Sequence, residues 1–191
     1  MKLEEDVTLY ITDFESTGVD IVNDYPIEVG ILVVNAKLQI QEVYSAMPRW
    51  IDCYRQCEKA GDWLDKWQPA AEVHKISVEE YIQESEDIDL ICGHIIQLTD
   101  KHKTDSRKPR HILVSDNAQF EFNFMQKLFS ASDFEFPFHY CAWDTSLLLE
   151  MTGIGDPRNV AHRALSDCYG LYRNLVMASY EIGYIKSEHA E

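Results

Sequence analysis

A chain of 191 residues with a hydrophobic share of 46% is long enough for one full core and short for two, so residues 1–191 are read as a single domain. A formal charge of −16 excludes a protein that coats long nucleic acid with its whole surface, since such binding releases counterions through Lys and Arg. No stretch approaches the roughly 18 apolar residues of a membrane helix. Residues 1–6 are acidic and unlike a secretory leader, and five cysteines without a CxxC pair fit reduced cytoplasmic thiols rather than a zinc site.

The first predicted strand covers 7–14. Alternate side chains of a strand share a face, so Val7, Leu9, Ile11, Asp13 and Glu15 form one row that starts apolar and ends in two carboxylates. Neighbouring like charges on such a row repel and lose hydration unless a cation sits between them, and hard divalent ions prefer carboxylate oxygens. An Asp-x-Glu alone also fits a strand whose last turn has reached solvent. Strands over 27–35 and 38–46, joined at Asn35-Ala36-Lys37, predict a hairpin.

Residues 47–70 form a Trp-rich insertion with Trp50, Trp63 and Trp67. Cys53, Cys57, Ala60, Leu64 and Trp67 recur at helical spacing, which predicts a packed helix rather than a base-stacking platform. A helix over 87–101 places Leu90, Ile91, His94, Ile95 and Leu98 on one side. Five of the 17 Lys and Arg then follow within ten residues (Lys101, Lys103, Arg107, Lys108, Arg110). They suit a solvated loop or a phosphate-binding one.

His111 to Val114 reads as a buried strand, and Ser115-Asp116-Asn117-Ala118 opens a helix carrying Phe120, Phe122, Phe124, Met125 and Leu128 inward. A strand over 140–143, a helix over 145–151 and a loop over 153–157 come next. The last helix has Ala164, Leu165, Cys168, Leu171, Tyr172, Leu175 and Val176 on one face. Three strands followed by alternating helices and strands predict an α/β fold, a mixed central sheet flanked by helices.

In such sheets, sites form where strands end and helices begin. Three acidic pairs occupy such junctions: Asp13 with Glu15, Asp116 with Glu121, and Asp167 with His162 in the preceding loop. An imidazole with an ordinary pKa of about 6.5 suits a general base beside them.

Asp13-Phe14-Glu15-Ser16-Thr17-Gly18, Asn117-Ala118-Gln119-Phe120-Glu121 and His162-Arg163-Ala164-Leu165-Ser166-Asp167, in that order, resemble the motifs of the DEDDh (DnaQ-like) 3′–5′ exonucleases. Softer matches are Pro26-Ile27-Glu28-Val29-Gly30, Val73-His74-Lys75-Ile76-Ser77 and Asp144-Thr145, and the likeness runs from about Thr8 to Val176. It implies a ribonuclease H-like fold and removal of nucleoside 5′-monophosphates from single-stranded DNA or RNA 3′ ends. It also implies two Mg²⁺ or Mn²⁺ ions held by Asp13, Glu15, Asp167 and Glu121, with His162 as the base. Phe14, Ser16, Thr17, Gly18, His74, Asn117 and Phe120 would border the terminal nucleotide. The family carries Asp where this chain has Glu121, which leaves Asp116 as the competing ligand. A polymerase, or a second copy docked on the Trp-rich stretch, is the expected partner. Two other functions fit less of the pattern. One is a catalytically weakened binding or proofreading-accessory module, and the other is an unrelated phosphohydrolase of small nucleotides.

Overall fold

The structure is a computed structural model that describes residues 6–51, 64–154 and 162–183. Strand β1 (Val7–Ser16) pairs antiparallel with β2 (Pro26–Val34), and β2 pairs antiparallel with β3 (Ile40–Pro48). On the other side of β1, β5 (Arg110–Ser115) runs parallel to it, and β6 (Trp143–Asp144) parallel to β5. The two-residue β4 (Ser85–Glu86) pairs with the end of β3, giving the order β4-β3-β2-β1-β5-β6. The helices are α1 (Leu64–His74), α2 (Val78–Glu84), α3 (Ile88–Lys101), α4 (Ala118–Ser130), α5 (Ser146–Thr152) and α6 (Ala164–Glu181).

The strand alternation divides the core between two faces. Tyr10, Phe14, Val29, Ile31 and Val33 pack with Ile91 and Ile95 of α3 and Phe124 and Leu128 of α4. Val7, Leu9, Ile11, Leu32, Ile112 and Val114 pack with Cys168, Leu171 and Leu175 of α6. β1 lies between the two layers and is buried on both faces for most of its length. It therefore brings its two carboxylates to the rim of the core.

Some elements differ from the sequence expectation. The strand expected over 140–143 shrinks to β6, and Tyr140 stands exposed. The reason is local: the Cys141 N–H donates to His139 Nδ1 at 3.2 Å, which bends the chain away from the ladder. In α3 the buried stripe is Ile91, Cys92, Ile95, Leu98 and Thr99, while Leu90 and His94 face outward. Trp50 and Trp67 are core residues rather than a docking surface. The Trp50 indole N–H donates to the Pro26 carbonyl at 2.7 Å, and that of Trp67 to the Ile76 carbonyl at 3.0 Å. The helical spacing read at Cys53, Cys57 and Ala60, and Trp63 itself, lie outside the described residues.

Candidate active site

The row Val7, Leu9, Ile11 faces α6, and its continuation delivers Asp13 and Glu15 to the first turn of that helix. Two devices fix where α6 begins. At Gly30, opposite Asp13 on β2, a Cβ would lie 2.5 Å from the Ala164 carbonyl carbon and 2.6 Å from the Leu165 nitrogen. Only glycine allows that approach. Two residues earlier on β2, the buried Glu28 caps the helix, accepting the Ala164 N–H at 2.9 Å. It also takes the Arg163 guanidinium at 2.8 and 3.1 Å, and Arg163 reaches on to Glu80 of α2 at 3.0 Å.

With α6 anchored this way, one carboxylate oxygen from each of Asp13, Glu15 and Asp167 lies within 4.8 Å of the others. His162 sits just ahead of the helix at φ 45, a left-handed conformation that a non-glycine residue adopts at a cost. Replacing Gly30 by Ala will cost about 1–3 kcal/mol, the usual range for overpacking. Urea unfolding reads that loss, and an unchanged midpoint would show that α6 is not held by this contact.

The middle acidic pair divides between two depths. Asp116 lines an open cleft of about 460 Å³ together with Asp13, Asp167, Ser146, Leu149 and Asn174. Glu121, in the first turn of α4, is buried and does not line that cleft, and its Oε2 has no hydrogen-bond partner. Burial first, then the charges of Asp13, Asp116 and Glu15, raise its pKa well above the usual carboxylate range, against a hydrogen bond from the Phe14 backbone N–H. Among the described residues the tight cluster is Asp13, Glu15 and Asp167, so Glu121 stands behind it rather than in it.

Burial also pushes Glu15 up to about 8, helped by Asp167 and Glu28 and opposed by Arg163. An all-oxygen donor set of mutually repelling carboxylates, backed by an orphaned carboxylate oxygen, fits a hard divalent cation.

A pH dependence follows from the raised Glu15 pKa. The unfolded chain loses this proton near 4.5 and the folded one near 8, so between those values the folded state holds more protons. The melting temperature of the chelator-treated protein will fall as pH rises from 5 to 8. Saturating Mn²⁺, at about 100-fold above its dissociation constant, contributes about 2.7 kcal/mol, or roughly 5–10 °C. A Glu15→Gln variant with the same pH slope would assign the effect elsewhere.

The residues expected around a terminal nucleotide fall into two groups. Ser16 ends β1, and with Thr17 and Gly18 it makes a braced turn out of the strand. Ser16 Oγ donates to the Gly18 carbonyl at 2.6 Å, and Thr17 Oγ1 accepts the Tyr25 N–H at 3.0 Å. A Cβ on Gly18 would meet the Asp24 carboxylate at 2.3 Å. Lys127 of α4 holds the far side of the loop through the carbonyls of Ile21, Val22 and Asp24.

Phe14 and His74, by contrast, belong to the interior. Phe14 packs on Phe124, and His74 lies edge-on to Trp67. The His74 Nδ1 accepts the Ile76 N–H at 2.9 Å, so its proton sits on Nε2, which has no partner, and burial lowers its pKa to about 4. Asn117 is exposed at the start of α4 but makes no side-chain cap; Asp144 accepts the Ala118 N–H instead. Phe120 packs against Phe124 at 4.6 Å between ring centroids.

Glu28, Arg163, Gly30 and Lys127 escaped the sequence reading as site-building residues. For Glu28 and Gly30 the signal was present in Pro26-Ile27-Glu28-Val29-Gly30. Lys127 carried none.

No family model and no curated protein matches the chain. Solved structures do. A zinc-bound E. coli exonuclease I–ssDNA complex superposes with a TM-score of 0.66 at 16% identity, over 93% of this chain and 42% of that one. E. coli exonuclease I with a dA16 oligonucleotide gives 0.68 at 14%, over 93% and 42%. A moderately thermophilic exonuclease I from Methylocaldum szegediense gives 0.64 at 14%, over 92% and 40%. The chain thus spans about two-fifths of the length of these proteins. At such identity the shared property is the fold, and that fold is the ribonuclease H-like α/β sheet with helices on both faces.

Proposed function

We propose that the chain belongs to the DEDDh exonucleases and removes nucleoside 5′-monophosphates from single-stranded 3′ ends in a divalent-metal-dependent reaction. The observation that supports this most is the convergence of Asp13, Glu15 and Asp167 within 4.8 Å, from two motifs distant in the sequence. An arrangement of this kind costs stability without a cation, and it lies on an open cleft.

Asp13, Glu15 and Asp167 would hold one or two Mg²⁺ or Mn²⁺ ions, with Glu121 acting from behind through its orphaned oxygen. When bound, such ions neutralise charge on the phosphate oxygens and acidify the attacking water. His162, on the loop at the helix entrance, accepts the proton of that water and passes it to solvent. The Ser16–Gly18 loop, fixed by Lys127 and Asp24, borders the terminal nucleotide and limits its movement. Such preorganisation matters because an error of about an ångström in placement costs roughly 10²-fold in rate.

The proposal is tested with end-labelled DNA and RNA oligomers in Mn²⁺ and in EDTA, beside free nucleotides. Stepwise shortening from the 3′ end supports it. Turnover of free nucleotides alone indicates a small-nucleotide phosphohydrolase, and binding without cleavage indicates an accessory module.

The middle pair has its own test. Glu121→Gln will remove most of the activity, because a neutral amide serves a hard cation or its hydration shell poorly. It will also raise the melting point of the metal-free protein, since it replaces a buried carboxyl by an uncharged isostere. Glu121→Asp will keep or raise activity, and Asp116→Asn will have a modest effect. The reverse order of losses would make Asp116, on the cleft wall, the working ligand.

A further inference from the structure

We propose that a lysine-lined groove at the opposite end of β1 binds the phosphate backbone of the same nucleic acid strand, upstream of its reacting end. The proposal rests on the exonuclease reading for its choice of strand. The groove, of about 480 Å³, lies where the β2–β3 turn meets the end of α3, and Lys37, Lys101 and Lys103 line it. Among the described residues no carboxylate lines it, whereas the catalytic cleft is lined by Asp13, Asp116, Glu150 and Asp167 and by no Lys or Arg. On a chain of charge −16 this segregation offers a polyanion a local excess of cations at the groove.

The chemistry of the lining selects the ligand. Beside the ammonium groups stand Thr104, Asn35, Gln39 and Gln41, while the Thr8 hydroxyl donates to the His102 carbonyl at 2.8 Å. Hydroxyl, amide and ammonium groups are the usual partners of phosphate oxygens. Among the described residues the apolar lining is limited to Val7 and Ala36, with no Trp, Tyr or Phe to anchor a peptide or stack a base. Contacts made here would therefore hold a backbone without reading its sequence. Lys101 and His102 are paired with Glu42 at 2.7 and 2.6 Å, and Lys103 lies 3.6 Å from Asp100. The lysines in these pairs are well exposed, and such surface pairs are worth little, so a phosphate can replace the carboxylate partner.

Val7 lines the groove and Asp13 lines the cleft, six residues apart on one strand. At about 3.3 Å per residue the separation is roughly 20 Å. A stacked strand rising 3.4 Å per nucleotide covers that in roughly six nucleotides. A tetramer reaches the cleft but not the groove; a 20-mer reaches both.

The test is the double variant Lys37→Gln/Lys103→Gln, whose two positions are exposed and outside the catalytic cluster. Metal-free fluorescence anisotropy with a dye-labelled 20-mer should show roughly tenfold weaker binding. The slope of log affinity against log salt should be shallower by about 1.4, for two lost single-strand phosphate contacts at about 0.7 each. Hydrolysis of a tetramer in Mn²⁺ should keep its kcat and KM. Wild-type affinity and slope for the 20-mer in the variant would overturn the proposal. So would a polyglutamate peptide that needs these lysines while the 20-mer does not. Lysine-dependent binding of the 20-mer by a protein that hydrolyses nothing would uphold the groove and sink the nuclease reading.

Discussion

Alanine in place of Asp13 or Asp167 will lower the rate of nucleotide release by about 10³-fold or more, while the metal-free protein keeps its fold and melts at the same temperature or higher. The rate loss follows from charge stabilisation by a bound cation being worth several kcal/mol, at tenfold per 1.4 kcal/mol. The stability gain follows from the geometry: three carboxyl groups have oxygens within 4.8 Å of one another, and burial and the Asp167 charge push the Glu15 pKa up, a cost that lasts until a cation is bound. Removing Asp167 relieves Glu15, and removing Asp13 relieves the buried Glu121. Far-UV circular dichroism and melting in EDTA, beside the oligomer assay, separate the two effects. A melting temperature that collapses in both variants would make the cluster a structural network instead.

The second large effect is expected at His162. Its replacement by Ala will cut the rate by roughly 10²–10⁴-fold, the usual contribution of a positioned general base. Metal binding measured by calorimetry will stay near the wild-type value, because His162 is not among the three clustered carboxylates. The helix itself should not move. The Glu28 carboxylate holds the Arg163 side chain and the Ala164 N–H, and neither contact involves the imidazole. Unchanged activity at neutral pH would leave the water to be activated without this residue.

Local patterns made much of the site legible in the sequence. The period-two alternation along β1 placed Asp13 and Glu15 on the same row as Val7, Leu9 and Ile11, and that row does face α6. The period of α6 set its apolar face, and Asp167 falls in its first turn with His162 just outside. The hairpin after β2 followed from the short Asn35-Ala36-Lys37 connection.

Features that depend on contacts between distant segments were not legible. Glu28 meets Arg163 and Ala164 across 135 and 136 residues of sequence, and the close approach at Gly30 exists only once α6 crosses β2. Glu121 was expected to differ from Asp by one methylene. Its burial away from the cleft lining, with one oxygen unpartnered, depends on how α4 packs. Tyr140 failed as a strand residue because the adjacent His139 side chain captures the Cys141 backbone N–H, a competition that β-propensity does not include.

The most direct measurement is anomalous diffraction from crystals grown with Mn²⁺ and a nucleoside 5′-monophosphate. The account predicts Mn²⁺ peaks between the oxygens of Asp13, Glu15 and Asp167, with the phosphate beside them and the Ser16–Gly18 loop against the nucleoside. A cluster without Mn²⁺ at millimolar concentration, or a nucleotide bound elsewhere, would contradict it.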